Sequence, residues 1–207
     1  MTRTERAARS SYVIACTYRD DASALRGAAM AEHLAYLRAN RHRLRFAGPL
    51  LDEGGAPSGS LCIVDVSDRY EALDFIQREA FCRAGMFEDI DIIRFKTAIG
   101  RAQADYRPSP RRRLYVCRWL AAPGADRPFR GCLHPFERVE TVELLERGAL
   151  ISDDGTRVIG GLLIVEVDDP SQALQVLIQD VDPSMAEGAR KQLMHWRFGQ
   201  ALSGVGT

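Results

Sequence analysis

The chain has 207 residues, 46% of them hydrophobic and 27% charged, enough for one sizeable core or two small ones. Its 28 basic and 28 acidic residues cancel, so no net field draws it to nucleic acid or anionic lipid. No apolar run reaches the ~20 residues that span a bilayer, and the charged start MTRTERAARSS lacks the apolar segment of a secretory signal. The five cysteines are odd in number and have no CxxC spacing, which fits free thiols in a reduced, cytoplasmic protein.

In chain order, SYVIACTY predicts a first strand over 12–18 from its β-branched and aromatic residues. A helix is expected over 28–43, with Met30, His33, Leu34 and Leu37 on one stripe at helical spacing. Strands over 44–51 and 60–66 flank a turn built from Asp52, Glu53, Gly54, Gly55 and Pro57. Asp68 is placed to cap a second helix that turns Ala72, Leu73, Phe75 and Ile76 toward the sheet, and a strand over 90–95 closes the unit. The polar, proline-containing segment 101–112 reads as a connector.

The chain then reads a second time. RLYVCRWLA carries the same Tyr-Val pair as SYVIACTY. GALISDDGTRVIGGLLIVEVDDPSQALQVL, starting at Gly148, parallels GPLLDEGGAPSGSLCIVDVSDRYEALDFI, starting at Gly48. Gly-x8-Arg-Phe occurs in both AGMFEDIDIIRF and EGARKQLMHWRF. The second copy is expected to have strands over about 114–120, 148–152, 158–167 and 191–198, with helices over about 135–146 and 170–179. The fold class is therefore α+β. Two ferredoxin-like βαββαβ units, over 11–100 and 113–203, are expected to pack as an intramolecular dimeric α/β barrel, each covering the sheet face the other leaves bare.

Four histidines are scattered without HxH or HxxxH spacing, and no nucleotide-binding or serine-nucleophile motif is present. No metal and no other cofactor is expected. His42, between Arg41 and Arg43, points to water. His33 reads either as a hydrogen-bonded core histidine or as a catalytic group, and a carboxylate within reach would decide for the second. Glu79, at the end of the second helix, is the candidate, since both helices of a split βαβ fold lie side by side on the sheet. Gly48, Pro49, Gly59 and Ser60 fall where neighbouring strands begin or end. They either shape the hairpin or bring backbone and a hydroxyl to a small-molecule ligand.

HLAYL (33–37), AGPL (47–50), GSLCIVDV (59–66) and EAFCRAGMFEDIDIIRF (79–95), in that order and spacing, resemble the YCII-related (YciI-like) family of the dimeric α/β-barrel superfamily. The resemblance implies single-domain proteins that dimerise, so a tandem version looks like that dimer fused in one chain. It also implies a histidine on the first helix, matched by His33, and an aspartate in an Asp-Pro-aromatic motif after the second. Here that position holds Glu79, and Ala80 replaces the proline. In the second copy Asp182-Pro183 retains the acidic dipeptide, six residues before Gly188 as Glu79 precedes Gly85. The nearest histidine there is His134, whose following proline sets it at a helix entrance.

The leading expectation is a small-molecule enzyme using the His33–Glu79 pair for general acid–base chemistry, of the lyase, isomerase or dehydrohalogenase class. The alternative is a non-catalytic ligand-binding or accessory pseudo-dimer. A third reading is a structural pseudo-dimer that assembles further, as a homodimer, through free sheet edges.

Overall fold

The computed structural model describes residues 10–130 and 141–202, and the chain divides into two compact units. Unit 1 takes the chain up to Ile93 and again from Phe198, and unit 2 runs Arg94–Arg197. Among the described residues no helix is long and apolar enough to cross a membrane.

Unit 1 comprises β1 (Ser10–Tyr18), α1 (Ala22–Ala39), β2 (Leu44–Leu51), β3 (Pro57–Val66), α2 (Arg69–Gln77), the single turn α3 (Ala80–Arg83) and the first part of β4 (Phe87–Gly100). β1 and β3 pair antiparallel from Ser10 opposite Val66 to Thr17 opposite Gly59, and β2 lies on the other side of β3. The order β4-β1-β3-β2 is the ferredoxin-like one. Alternation along β1 puts Tyr12, Ile14 and Cys16 into one buried cluster with Leu37 of α1 and Ala72, Phe75 and Ile76 of α2. Leu73, expected to face the sheet, is instead 38% exposed, because the helical period carries it past the buried stripe.

α1 begins at Ala22, upstream of the expected start at 28. The stretch ASALRGAA lacks an apolar stripe but is rich in alanine, the strongest helix former. α2 starts as expected, with Asp68 accepting a hydrogen bond from the Glu71 N–H. The Tyr36 hydroxyl donates to the Phe75 carbonyl at 2.8 Å and ties α1 to α2. The chain returns to unit 1 at its end, where the Gly199 N–H donates to the Ala47 carbonyl at 2.8 Å.

Unit 2 holds the later part of β4, then β5 (Arg113–Leu120), the short β6 (Arg127–Pro128), β7 (Glu143–Ile151), β8 (Arg157–Val167), α4 (Pro170–Asp180) and β9 (Arg190–Trp196). β5 lies between β9 and β8, and β7 lies on the other side of β8, giving β9-β5-β8-β7. This repeats the unit 1 strand order. α4 opens with a capping box between Asp169 and Gln172 and buries Ala173, Val176 and Leu177 against Cys117, Trp119 and Val165.

The expected helix over 135–146 needs correction. Residues 131–140 lie outside the described residues, and Glu143 onward is strand. Glu-Leu-Leu-Glu-Arg has good helix formers, but ladder pairing of Leu144 with Val165 and Arg147 with Leu163 overrides that preference. The division between the units falls inside β4, whose Arg94–Gly100 part continues as strand and pairs with β7.

Candidate active site

α2 ends at Gln77, and the chain becomes extended at Glu79 before turning into α3. Glu79 is the N-cap of that turn: its Oε2 accepts from the backbone N–H groups of Phe81 at 3.0 Å and Cys82 at 3.3 Å. The cap fixes the carboxylate and leaves Oε1 for a second partner. That partner is Nδ1 of His33, reaching down from α1 in a short hydrogen bond. Gly85, with φ of +72°, then reverses the chain into β4, and the Arg19 N–H donates to the Met86 carbonyl at 2.9 Å.

Glu79 is 2% exposed, whereas the His33 side chain keeps 17% of its surface. The carboxylate is thus buried behind an imidazole that still reaches solvent. A carboxylate only accepts, so Nδ1 carries the hydrogen and Nε2 is left as the basic nitrogen. The His33 ring lies on Phe81, with centroids 3.9 Å apart and planes 6° from parallel. Outside this core, Arg83 of α3 bridges to Glu32 of α1 at 2.5 Å, a second clasp between the same two helices.

The sheet below supplies further polar groups. Ser60 stands opposite Cys16 on β1 and Pro49 on β2, and its hydroxyl interacts with both the Cys16 thiol and the Tyr18 phenol. Burial pushes the Cys16 thiol up to about 12 despite Ser60, and it also raises the Tyr18 phenol against the pull of Arg26 and Ser60. Tyr18 meets Phe81 edge-on at 6.3 Å, and the Arg26 guanidinium carbon lies 5.9 Å from the Phe81 centroid. Gly59 allows close strand approach, since a Cβ there would sit 2.4 Å from the Cys16 carbonyl oxygen. Gly48 sits in the same ladder opposite Leu61. The structure therefore joins His33 to Glu79 and Ser60 to Cys16 and Tyr18, while Gly48, Pro49 and Gly59 occupy the β2–β3–β1 ladder.

Residues 10–96 match the model of the YCII-related domain. No curated protein matches the chain. Among solved structures it is similar to 5-chloro-2-hydroxyhydroquinone dehydrochlorinase (TftG) from Burkholderia phenoliruptrix AC1100, in complex with 2,5-dihydroxybenzoquinone. That match has 26% identity and a TM-score of 0.40, and covers 42% of this chain and 93% of that one. It is also similar to an anthrone oxidase-like protein, with 9% identity, a TM-score of 0.47 and 92% of each chain covered.

Unit 2 also holds a carboxylate that caps a short turn. Asp182 caps the 3-10 turn Pro183–Met185, accepting from the Ser184 N–H at 3.0 Å, and Gly188 follows with φ of +66°. Its other oxygen pairs with Arg127 of β6 at 2.7 Å. His134 lies outside the described residues. Deeper in unit 2, Asp180 at the end of α4 accepts from Trp119 Nε1 at 2.8 Å and from Arg147 Nε at 2.6 Å, all three being buried. Among the described residues no three His, Cys, Asp or Glu side chains converge as a metal-binding group.

Sequence reasoning missed Phe81, Tyr18 and Arg26, because aromatic residues in apolar runs read as core and a lone arginine reads as solvated. The spacing held a signal for one of them. Arg26 and His33 stand seven positions apart, two helical turns, and so share a face of α1.

Proposed function

We propose that the YCII-related domain is a small-molecule enzyme in which His33 transfers a proton and Glu79 positions and charges it. The observation carrying this is the short Nδ1–Oε1 contact between a part-exposed imidazole and a buried, backbone-held carboxylate. Such a carboxylate fixes the imidazole tautomer and stabilises the imidazolium that forms when Nε2 takes a proton. Abstraction of a proton from carbon beside a carbonyl, or from a ring carbon, suits this pair and needs no cofactor. Lyase, isomerase and dehydrohalogenase reactions share that step. Glutamate in place of the family's aspartate is accommodated because the N-cap of α3 sets the carboxylate position.

Unit 2 reads as a divergent second copy without this chemistry. Its strand order, its acid-capped turn and the left-handed glycine six residues on all support common descent with unit 1. Its capping carboxylate, Asp182, is engaged by Arg127. The chain then has one catalytic centre and an accessory half.

The test is deuterium uptake from solvent into a panel of cyclic ketones and hydroxyquinones, followed by proton NMR. The wild-type chain is expected to accelerate uptake into at least one member, His33→Gln to abolish it, and Glu79→Gln to slow it about 10- to 100-fold, the range for a lost general-base contribution. Asp182→Asn is expected to leave it unchanged. Full activity in His33→Gln would end the proposal.

A further inference from the structure

The Arg26 guanidinium is the unexplained group beside the His33–Glu79 pair. Its Nε is buried and has no hydrogen-bond partner among the described residues. A buried N–H without an acceptor costs about 1–3 kcal/mol, more when charged, so native structures retain one where something else accepts from it. Arg26 is not isolated from the site. It shares the α1 face with His33, lies over the ring on which His33 is stacked, and interacts with the Tyr18 phenol. Tyr18 in turn interacts with Ser60 and meets the edge of Phe81. Phe81 is thus a common contact of the imidazole, the guanidinium and the phenol.

We infer that Arg26, with Tyr18 and Ser60, forms an oxyanion subsite that holds the oxygen of an enolate or phenolate while His33 handles the carbon-bound proton. This rests on the acid–base reading above and names its substrate class: a compound with an enolisable or phenolic oxygen near the reacting carbon. In the step, His33 Nε2 forms a bond to the proton as the C–H bond breaks. The C–H electron pair becomes the C=C bond, and the carbonyl π pair moves to oxygen. That oxygen gains a full charge only as the proton leaves, so donors fixed around it favour the transition state over the ground state. An arginine stays charged throughout, and its fork suits an oxygen anion better than an ammonium does.

The experiment is equilibrium binding of 4-nitrophenol to the whole chain at a pH below the free probe's own pKa. The coloured ionised form reports whether bound probe loses its proton. The wild-type chain is expected to bind it saturably with a rise in nitrophenolate absorbance. Arg26→Gln should weaken binding of the ionised form roughly 10- to 100-fold, the range of a lost charge-assisted hydrogen bond, and Arg26→Lys should recover part of it. Thermal melts confirm that both variants fold. His33→Gln should still ionise the probe. Equal binding by wild type and Arg26→Gln, or no ionisation by wild type, would overturn the inference. If His33→Gln alone lost ionisation, the oxygen would belong to the imidazole, sinking the Arg26 subsite while leaving the acid–base reading intact.

Discussion

The ring of His33 lies 3.9 Å from that of Phe81 and within 6° of parallel, while its Nδ1 bonds Glu79 at right angles to the stack. One contact fixes the plane of the imidazole and the other fixes its rotation within that plane. Nε2 is thereby aimed without any hydrogen bond of its own being spent. Replacing Phe81 by leucine keeps an apolar contact but removes the flat support. Phe81→Leu should slow proton exchange roughly 10- to 100-fold, as misplacement by about 1 Å does, with Phe81→Tyr close to wild type. Rates from the deuterium assay over a pH series check this. A mere loss of folding would shift the melt, whereas misplacement changes the rate of a well-folded chain.

Unit 2 offers a stability test independent of catalysis. Asp180 satisfies both Trp119 and Arg147 from within the core. Asp180→Ala removes the carboxylate that faces both the buried Arg147 guanidinium and the Trp119 indole, and should destabilise by about 3–5 kcal/mol in urea unfolding. Adding Arg147→Met should return much of that loss, since a paired removal leaves no uncompensated charge. If the double variant were as unstable as the single one, the ion pair would not be the source.

Two glycines should respond in opposite directions. At Gly59 an added Cβ meets the Cys16 carbonyl, which is backbone and cannot rotate away. Gly59→Ala should cost about 1–3 kcal/mol as the β1–β3 ladder is forced apart. Gly27, inside α1, has nothing within 4 Å of a new Cβ. Gly27→Ala should stabilise by up to about 1 kcal/mol through helix propensity alone. Melting temperatures of the two variants read the contrast directly.

Alkaline pH supplies a fourth prediction. Burial raises the Cys16 thiol from its ordinary value near 9 to about 12, and Cys62 is raised as well. A group whose folded pKa lies above its unfolded one gives stability that is complete below the unfolded value. That stability is lost as pH rises toward the folded value. Stability should therefore fall progressively from about pH 9 to about pH 12. Replacing Cys16 with alanine should flatten that limb, while a thiol reagent at pH 8 should leave Cys16 unmodified until urea unfolds the chain. Rapid native labelling of Cys16 would contradict its burial.

Much of this architecture was readable in the residues because local and tertiary preferences agree. Alternation in SYVIACTY, the Asp52–Pro57 turn and the Asp68 cap each specify their element, and the pairings only confirm them. The His33–Glu79 pair was legible only as a consequence of the expected fold, which sets the two helices side by side, and the family resemblance added weight to it; residues 46 positions apart carry no local signal of contact. Where preferences conflict, the reading failed. ELLER is helical by propensity and strand by pairing, and ASALRGAA is helical without an apolar face. Phe81 and Tyr18 were hidden for another reason: an aromatic side chain beside a candidate site and one that only fills a core have the same sequence signature.

The boundary between the units runs through β4 rather than through a loop. The YCII-related match ends at residue 96, in the middle of that strand. A fragment cut to the family boundary would sever a continuous ladder and leave Arg94, Phe95 and Lys96 without their β7 partners Ile151, Leu150 and Ala149. Raw strand edges of that kind recruit other chains. Work on the His33 site is best done in the uncut polypeptide.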